Sequence, residues 1–197
     1  MLTNGYHAVP EGKLAAVVTH LTMERPRTMP PVAADLPLRH VTSPDVEWYR
    51  DLFTRVGALD WLWVSRLEMP RDRLAAILSD PLIEVRALDI DGHAEGLLEL
   101  DFRTPGTCEL AFLGLTSAAQ GKGFGRGMIA AAINLAFSRD VRTLTLHTCT
   151  FDSPWALRFY MSQGFVPVGQ QVQVLDDPRL TGDLPRDAAP QIPMIGR

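Results

Sequence analysis

The chain is poor in cysteine, in lysine and in long apolar runs, and each shortage removes a class of explanation. Its two cysteines, Cys108 and Cys149, are too few for a disulfide framework and lack the spacing of a metal site. Five scattered histidines form neither an HxH nor an HExxH pattern, so no metal is expected. No apolar stretch of roughly 18 residues reads as a membrane span, and no signal peptide opens the chain. A soluble, cytoplasmic protein without a membrane partner is the expectation. Of the 19 Lys and Arg residues only Lys13 and Lys122 are lysines, and no basic run occurs. With a net charge of −4 and a pI near 5.7, the chain offers no strip for nucleic acid, and none is expected as a partner.

What is present is ordinary in bulk. A length of 197 residues, 46% hydrophobic and 21% charged, suits one globular domain with a real core. Residues 14–23 read as a strand, and Pro26, Pro30 and Pro31 then forbid regular structure. After a short strand near 37–41, Ser43-Pro44 signals a helix start, with Val46, Tyr49, Leu52 and Phe53 on one face. Residues 61–69 are aromatic and irregular, and 70–79 have helical spacing. A strand from Ile83, the turn pair Asp91-Gly92 and the alternating Leu98, Leu100 and Phe102 make a hairpin. Pro105-Gly106 turns into a strand over 108–115. A buried helix follows residues 121–127, then a β-branched strand over 143–150. Ser153-Pro154 starts a short helix capped near Gly164, and 165–175 is a last strand. A strand, loop, helix, strand crossover after a run of hairpins requires a mixed sheet. Residues 1–35 are thus a strand with a proline-rich arm, 36–175 the main domain, and 176–197 a tail with little prospect of regular structure.

The densest feature is AQGKGFGRGMI, with Gly121, Gly123, Gly125 and Gly127 within seven residues. Glycine is costly inside regular structure, so the cluster needs a reason. Between a strand and a helix it makes an anion site, because backbone N–H groups at a helix start lack partners and the helix dipole favours negative charge. The nucleotide loop GxxxxGK(S/T) fails, because Gly123 follows Lys122. The dinucleotide pattern GxGxxG fails from Gly121, where Arg126 takes the sixth place, and from Gly123, where Met128 does.

A pattern of Gln or Arg, two residues, Gly, one residue, then Gly or Ala does fit, from Gln120 to Gly125. Residues 109–115, ELAFLGL, lead into it, and Tyr160 stands four residues before Gly164-Phe165. In these motifs and in element order the chain resembles the GCN5-related N-acetyltransferases, well over 95–170 and by element order over 36–94. The resemblance implies an α/β fold, a single-domain, mixed, mostly antiparallel sheet with a splayed parallel strand pair flanked by helices. It implies acetyl-CoA as co-substrate, bound at the motif that Gln120 opens. Its pyrophosphate would be wrapped by the backbone amides of Gly121, Lys122, Gly123, Phe124, Gly125 and Arg126, with charge-assisted contacts from Lys122 and Arg126. A side chain at Gly123 or Gly125 would collide with that pyrophosphate. The pantetheine arm would follow Leu113, Gly114 and Leu115, where strand 143–150 splays away. Ser153 stands where many members carry an Asn that contacts CoA.

The implied reaction is direct acetyl transfer to the amine of a small-molecule or peptide acceptor. The alternative is a non-catalytic CoA sensor of the same fold; an acceptor hydroxyl is a third, weaker option. By resemblance Tyr160 is the general acid, and an aromatic in the core is the bland reading of it. Glu109 is the candidate base. Pairing of Phe102 with Glu109 would put it among Leu98, Leu100, Ala111 and Leu113, and apolar neighbours raise a carboxyl pKa. His147 is the alternative base, or a structural hydrogen-bonder. Trp61 and Trp63 either stack on the acceptor or fill core, whereas Trp48 reads as core. Cys149 reads as a buried small residue. A homodimer is possible by resemblance.

Overall fold

The computed structural model describes residues 3–196. Seven strands form one sheet: β1 (Lys13–Glu24), β2 (Leu38–His40), β3 (Ile83–Ile90), β4 (His93–Asp101), β5 (Thr107–Leu115), β6 (Thr143–Cys149) and β7 (Val166–Asp176), in the order β2-β3-β4-β5-β6-β1-β7. All neighbours are antiparallel except β5 and β6. The helices are α1 (Val46–Phe53), α2 (Leu59–Trp61), α3 (Arg71–Leu78), α4 (Phe124–Phe137), α5 (Ala156–Ser162) and α6 (Pro178–Thr181), with a π-helical turn, Thr54–Ala58, joining α1 to α2. No described helix is long and apolar enough to cross a membrane.

Two apolar layers enclose the sheet. Helix α4 lays Met128, Ile129, Ala132, Ile133 and Ala136 on one face, against Leu88, Leu98, Leu100, Leu144 and Leu146. Helices α1 and α3 cover the other with Tyr49, Leu52, Phe53 and Leu74, against Val85, Ala87 and Leu97. Strand β4 is therefore buried on both sides, so Leu97 and Leu98 face opposite layers and its sequence does not alternate. The Asp91-Gly92 turn forms as expected, with positive φ at both residues (50° and 82°), the geometry that matches strand twist in a two-residue hairpin.

Three local readings shift. Asp45, not Ser43, caps α1, accepting from the Glu47 and Trp48 amides at 2.9 and 3.1 Å. After Ser153-Pro154, α5 begins only at Ala156, behind a turn. The tail is mostly irregular in backbone, apart from α6, but it is not loose. Leu184, Ala188, Ala189 and Ile192 are buried with Leu14, Leu62 and Val64 in a third apolar cluster.

Candidate active site

The gap in the sheet follows from strand pairing. Thr107, Cys108 and Glu109 pair with Thr143, Leu144 and Thr145, and there the parallel ladder stops. Beyond Glu109 the β6 side of β5 carries no strand, so Leu113, Gly114 and Leu115 border open space. One cavity of about 570 Å³ occupies that space. Leu113, Gly114, Leu115, Gln120, Gly121, Gly123, Gly125, Arg126, Ser153 and Tyr160, all singled out from the sequence, line it. Glu109, Lys122 and Phe124 do not; Phe124 packs instead on the α4 core.

The glycines at one end divide by cause. Gly121 and Gly123 have φ of 74° and 84°, a conformation that L side chains rarely adopt, so the turn itself needs them. Gly125 is different. A Cβ there would meet only Leu115 and Phe159, at 3.8 and 4.0 Å, so the protein has room for a side chain. Its bare backbone borders the cavity. The Phe124 and Gly125 amides precede the first bond of α4, which the Arg126 amide makes to the Gly123 carbonyl at 3.1 Å, and the Arg126 side chain adds a cation beside them. This donor set fits a pyrophosphate. Gln120 contributes by structure, its Nε2 donating to the Leu115 carbonyl at 3.0 Å.

Tyr160 and His147 both line the cavity. No described protein group hydrogen-bonds the Tyr160 hydroxyl. Burial, with Asp152 acting in the same direction, pushes its pKa up, so the phenol keeps its proton at neutral pH. His147 Nδ1 faces Glu109 Oε1 at 3.6 Å, and its ring lies 5.9 Å from that of His20, which meets Gln171 at 3.3 Å. The Glu109 carboxylate raises the His147 pKa above its ordinary value of 6.5, against the opposing effect of burial.

The expected environment of Glu109 is corrected. Glu109 pairs with Asp101 rather than with Phe102, and a bulge between Glu99 and Leu100 restores the apolar register only beyond it. Its side chain is 45% exposed and its partner is His147, not a leucine face.

The far wall is built from residues 61–65, Phe151, Leu175 and Val18. Trp63 is held twice. Its indole Nε1 donates to Asp152 Oδ1 at 2.9 Å, and its ring lies over Gly57, where a Cβ would fall 2.0 Å from it. The other Asp152 oxygen accepts from Thr148 Oγ1 at 2.7 Å and from the Cys149 amide at 2.8 Å. Arg66 fastens the same irregular segment to β4, reaching the buried Glu99 at 2.5 Å, while Tyr49 bonds the other Glu99 oxygen. Arg50 donates to the Met69 carbonyl at 2.5 Å. Trp61 and Trp63 thus both face the cavity, whereas Trp48 packs on the α1 core. Asp152, Gly57 and the Tyr49–Glu99–Arg66 cluster are not legible in one sequence. Asp152 precedes a Ser-Pro helix signal, and nothing local marks its three partners. Cys149 lines the cavity, but burial and Asp152 raise its pKa, which disfavours a thiolate nucleophile. Among the described residues no three His, Cys, Asp or Glu side chains gather as a metal site.

A mixed sheet that opens between its one parallel pair, with a glycine-lined helix start at the gap, defines an acyl-CoA N-acyltransferase fold. The sequence profile of the acetyltransferase (GNAT) family matches residues 46–165, more than half of the chain, and the chain belongs to that family. Similar solved structures carry the same fold at low identity. A GNAT-family chain from Novosphingobium aromaticivorans DSM 12444 is 17% identical with a TM-score of 0.59, covering 87% of this chain and 70% of its own. A chain of unknown function from Staphylococcus epidermidis ATCC 12228 is 19% identical (TM-score 0.61; 84% of this chain, 63% of its own). A GCN5-related N-acetyltransferase from Kribbella flavida is 18% identical (TM-score 0.54; 87% and 63%). This chain therefore spans less than two thirds of the last two. No curated protein matches it by sequence.

Proposed function

We propose that the protein transfers the acetyl group of acetyl-CoA directly to an amine. The supporting observation is the continuity of one cavity from the glycine-lined start of α4, through the gap between β5 and β6, to Tyr160 and His147. Bound acetyl-CoA would supply an activated thioester carbonyl. The protein's own groups do the rest. The α4 amides and Arg126 hold the diphosphate, and the unpaired edge of β5 orients the pantetheine arm. His147 takes a proton from the incoming ammonium. Glu109, which lies outside the cavity lining, positions the imidazole and favours its charged form. The amine nitrogen bonds to the acetyl carbon, the carbon–sulfur bond breaks, and Tyr160 donates its proton to the departing sulfur. The second nitrogen proton returns to the Tyr160 oxygen as the amide forms, while His147 releases its proton to solvent. Backbone N–H groups near Leu115 are the candidate oxyanion donors. Direct transfer suits a site whose cysteine is held as a thiol.

The first test is thermal unfolding with acetyl-CoA beside NADPH and ATP. A ligand at about 100 times its Kd adds roughly 2.7 kcal/mol of stability. Stabilisation by acetyl-CoA alone, together with amine-dependent thiol release, is the expected result. Stabilisation without turnover on any amine would leave a CoA-binding sensor.

A further inference from the structure

The lining of the cavity falls into two sets of opposite character. The glycine loop, Arg126 and Ser153 are polar. The other set, contributed by β1, residues 61–65, β7 and Phe151, is apolar apart from Ser65 and Gln173 and carries no charge. Among the described residues, the ionisable side chains that line the cavity besides Tyr160 and Cys149 are Arg126, His147 and Asp152. Arg126 belongs to the diphosphate end. Asp152 has both oxygens occupied by Trp63, Thr148 and the Cys149 amide. Glu109 is outside the lining and engaged with His147. An acceptor with several ammonium groups would therefore bury cations opposite Leu62, Val64 and Leu175 with no carboxylate to meet them, at a severe desolvation cost. An acceptor with one reacting nitrogen needs only His147.

The shape and backing of this wall argue the same way. Trp61, Trp63 and Phe151 give this part of the lining three aromatic side chains, which suit a ring. Trp63 cannot swing away freely, because Gly57 seats its ring and Asp152 holds its indole N–H. Behind Leu62, Val64 and Leu175 stand Leu184, Ala188, Ala189 and Ile192 of the tail, so the wall has an apolar backing rather than water. Strands β1 and β7 and the tail all lie outside the residues 46–165 that match the family profile. Residues 61–65 and Phe151 lie within that span, so the wall combines matched and unmatched segments.

Resting on the acetyl-transfer reading above, we propose that the acceptor is a small monoamine carried on an aromatic body, seated between Trp61, Trp63 and Phe151 with its nitrogen toward His147. Polyamines and multiply charged amino sugars are excluded by the same wall.

The test compares 2-phenylethylamine and tryptamine with spermidine and kanamycin in thiol-release kinetics, alongside acetyl-CoA-dependent thermal stabilisation. Burying a ring of this size favours binding by about 1.5–3 kcal/mol, so kcat/KM for the arylalkylamines should exceed that for spermidine by at least about tenfold. Leu175→Glu places a free carboxylate in the wall and should narrow or reverse that ratio while acetyl-CoA stabilisation persists. Gln173→Glu, at an exposed lining position, serves the same purpose if Leu175→Glu does not fold. Stabilisation by acetyl-CoA with spermidine or kanamycin used as well as the arylalkylamines would overturn the acceptor inference and leave the acetyl-transfer reading standing. So would stabilisation without arylalkylamine turnover while another amine reacts. Absence of any acetyl-CoA effect would overturn both.

Discussion

His147 works between a carboxylate that favours its charged form and a cavity that opposes it. Glu109 is the larger influence, so the imidazole titrates above 6.5. The active base is the neutral imidazole, populated only as the pH rises through that value. The rate with a fixed amine should therefore climb with pH along a limb centred above 6.5. In Glu109→Gln the limb should move to lower pH, read from parallel kcat/KM profiles of the two proteins with one amine. An unmoved limb would show that Glu109 does not act through His147. Tyr160 gives a second expectation at the same scale. Its phenol carries a proton across the neutral range and has no protein partner to lose. Tyr160→Phe should lower kcat on the order of 10²-fold, the low end for a general acid, because a thiolate leaves readily. The acetyl-CoA-induced shift in melting temperature should be kept. Loss of that shift would instead assign Tyr160 to binding.

At the scale of elements, the sequence is most informative where a signal is local. The Asp91-Gly92 hairpin, the long apolar run of α4 and the glycine cluster each carry their reason within a few residues. Helix starts proved less exact, since Asp45 competes with Ser43 for the same cap and wins by reaching two amides. The face of Glu109 was not legible, because a bulge at Glu99 and Leu100 is a property of two strands together. The same holds for Gly57. In sequence it is an isolated glycine in a helical stretch, and only the fold shows Trp63 lying across it within a π-helical turn. Gly57→Ala puts a methyl 2.0 Å from the Trp63 ring, which is pinned at its far side by Asp152. Overpacking of this kind costs about 1–3 kcal/mol. The variant should melt earlier and show a raised KM for the amine, with the acetyl-CoA response retained. An unchanged KM would separate Trp63 from acceptor binding.

The whole molecule is closed by its ends. Strand β1, from the N-terminal region, fills the sheet between β6 and β7, and the tail returns beneath Leu62 and Val64. Arg179 holds that return. It is 3% exposed, pairs with the buried Asp177 at 2.7 Å, and donates to the carbonyls of Ala188, Ala189 and Ile192 at 3.3, 3.3 and 2.8 Å. The Ala189 amide then bonds the Leu59 carbonyl at 2.7 Å, joining the tail to α2 directly under the cavity wall. Arg179 draws the Asp177 pKa below the usual carboxylate range. The pair's contribution is therefore complete above the unfolded aspartate pKa and is lost as pH falls through the lower, folded value. Arg179→Ala leaves Asp177 buried without its partner and three carbonyls without a donor, a loss of about 3–5 kcal/mol. Arg179→Lys should recover little of it, because an ammonium cannot reproduce the planar fork that meets both Asp177 and the carbonyls. Urea midpoints of the three proteins measure this order. Because Arg179 touches no cavity residue of the glycine loop, stabilisation by acetyl-CoA should persist in Arg179→Ala while KM for the amine rises. Equal loss of both would mean that the tail supports the fold as a whole rather than the acceptor wall.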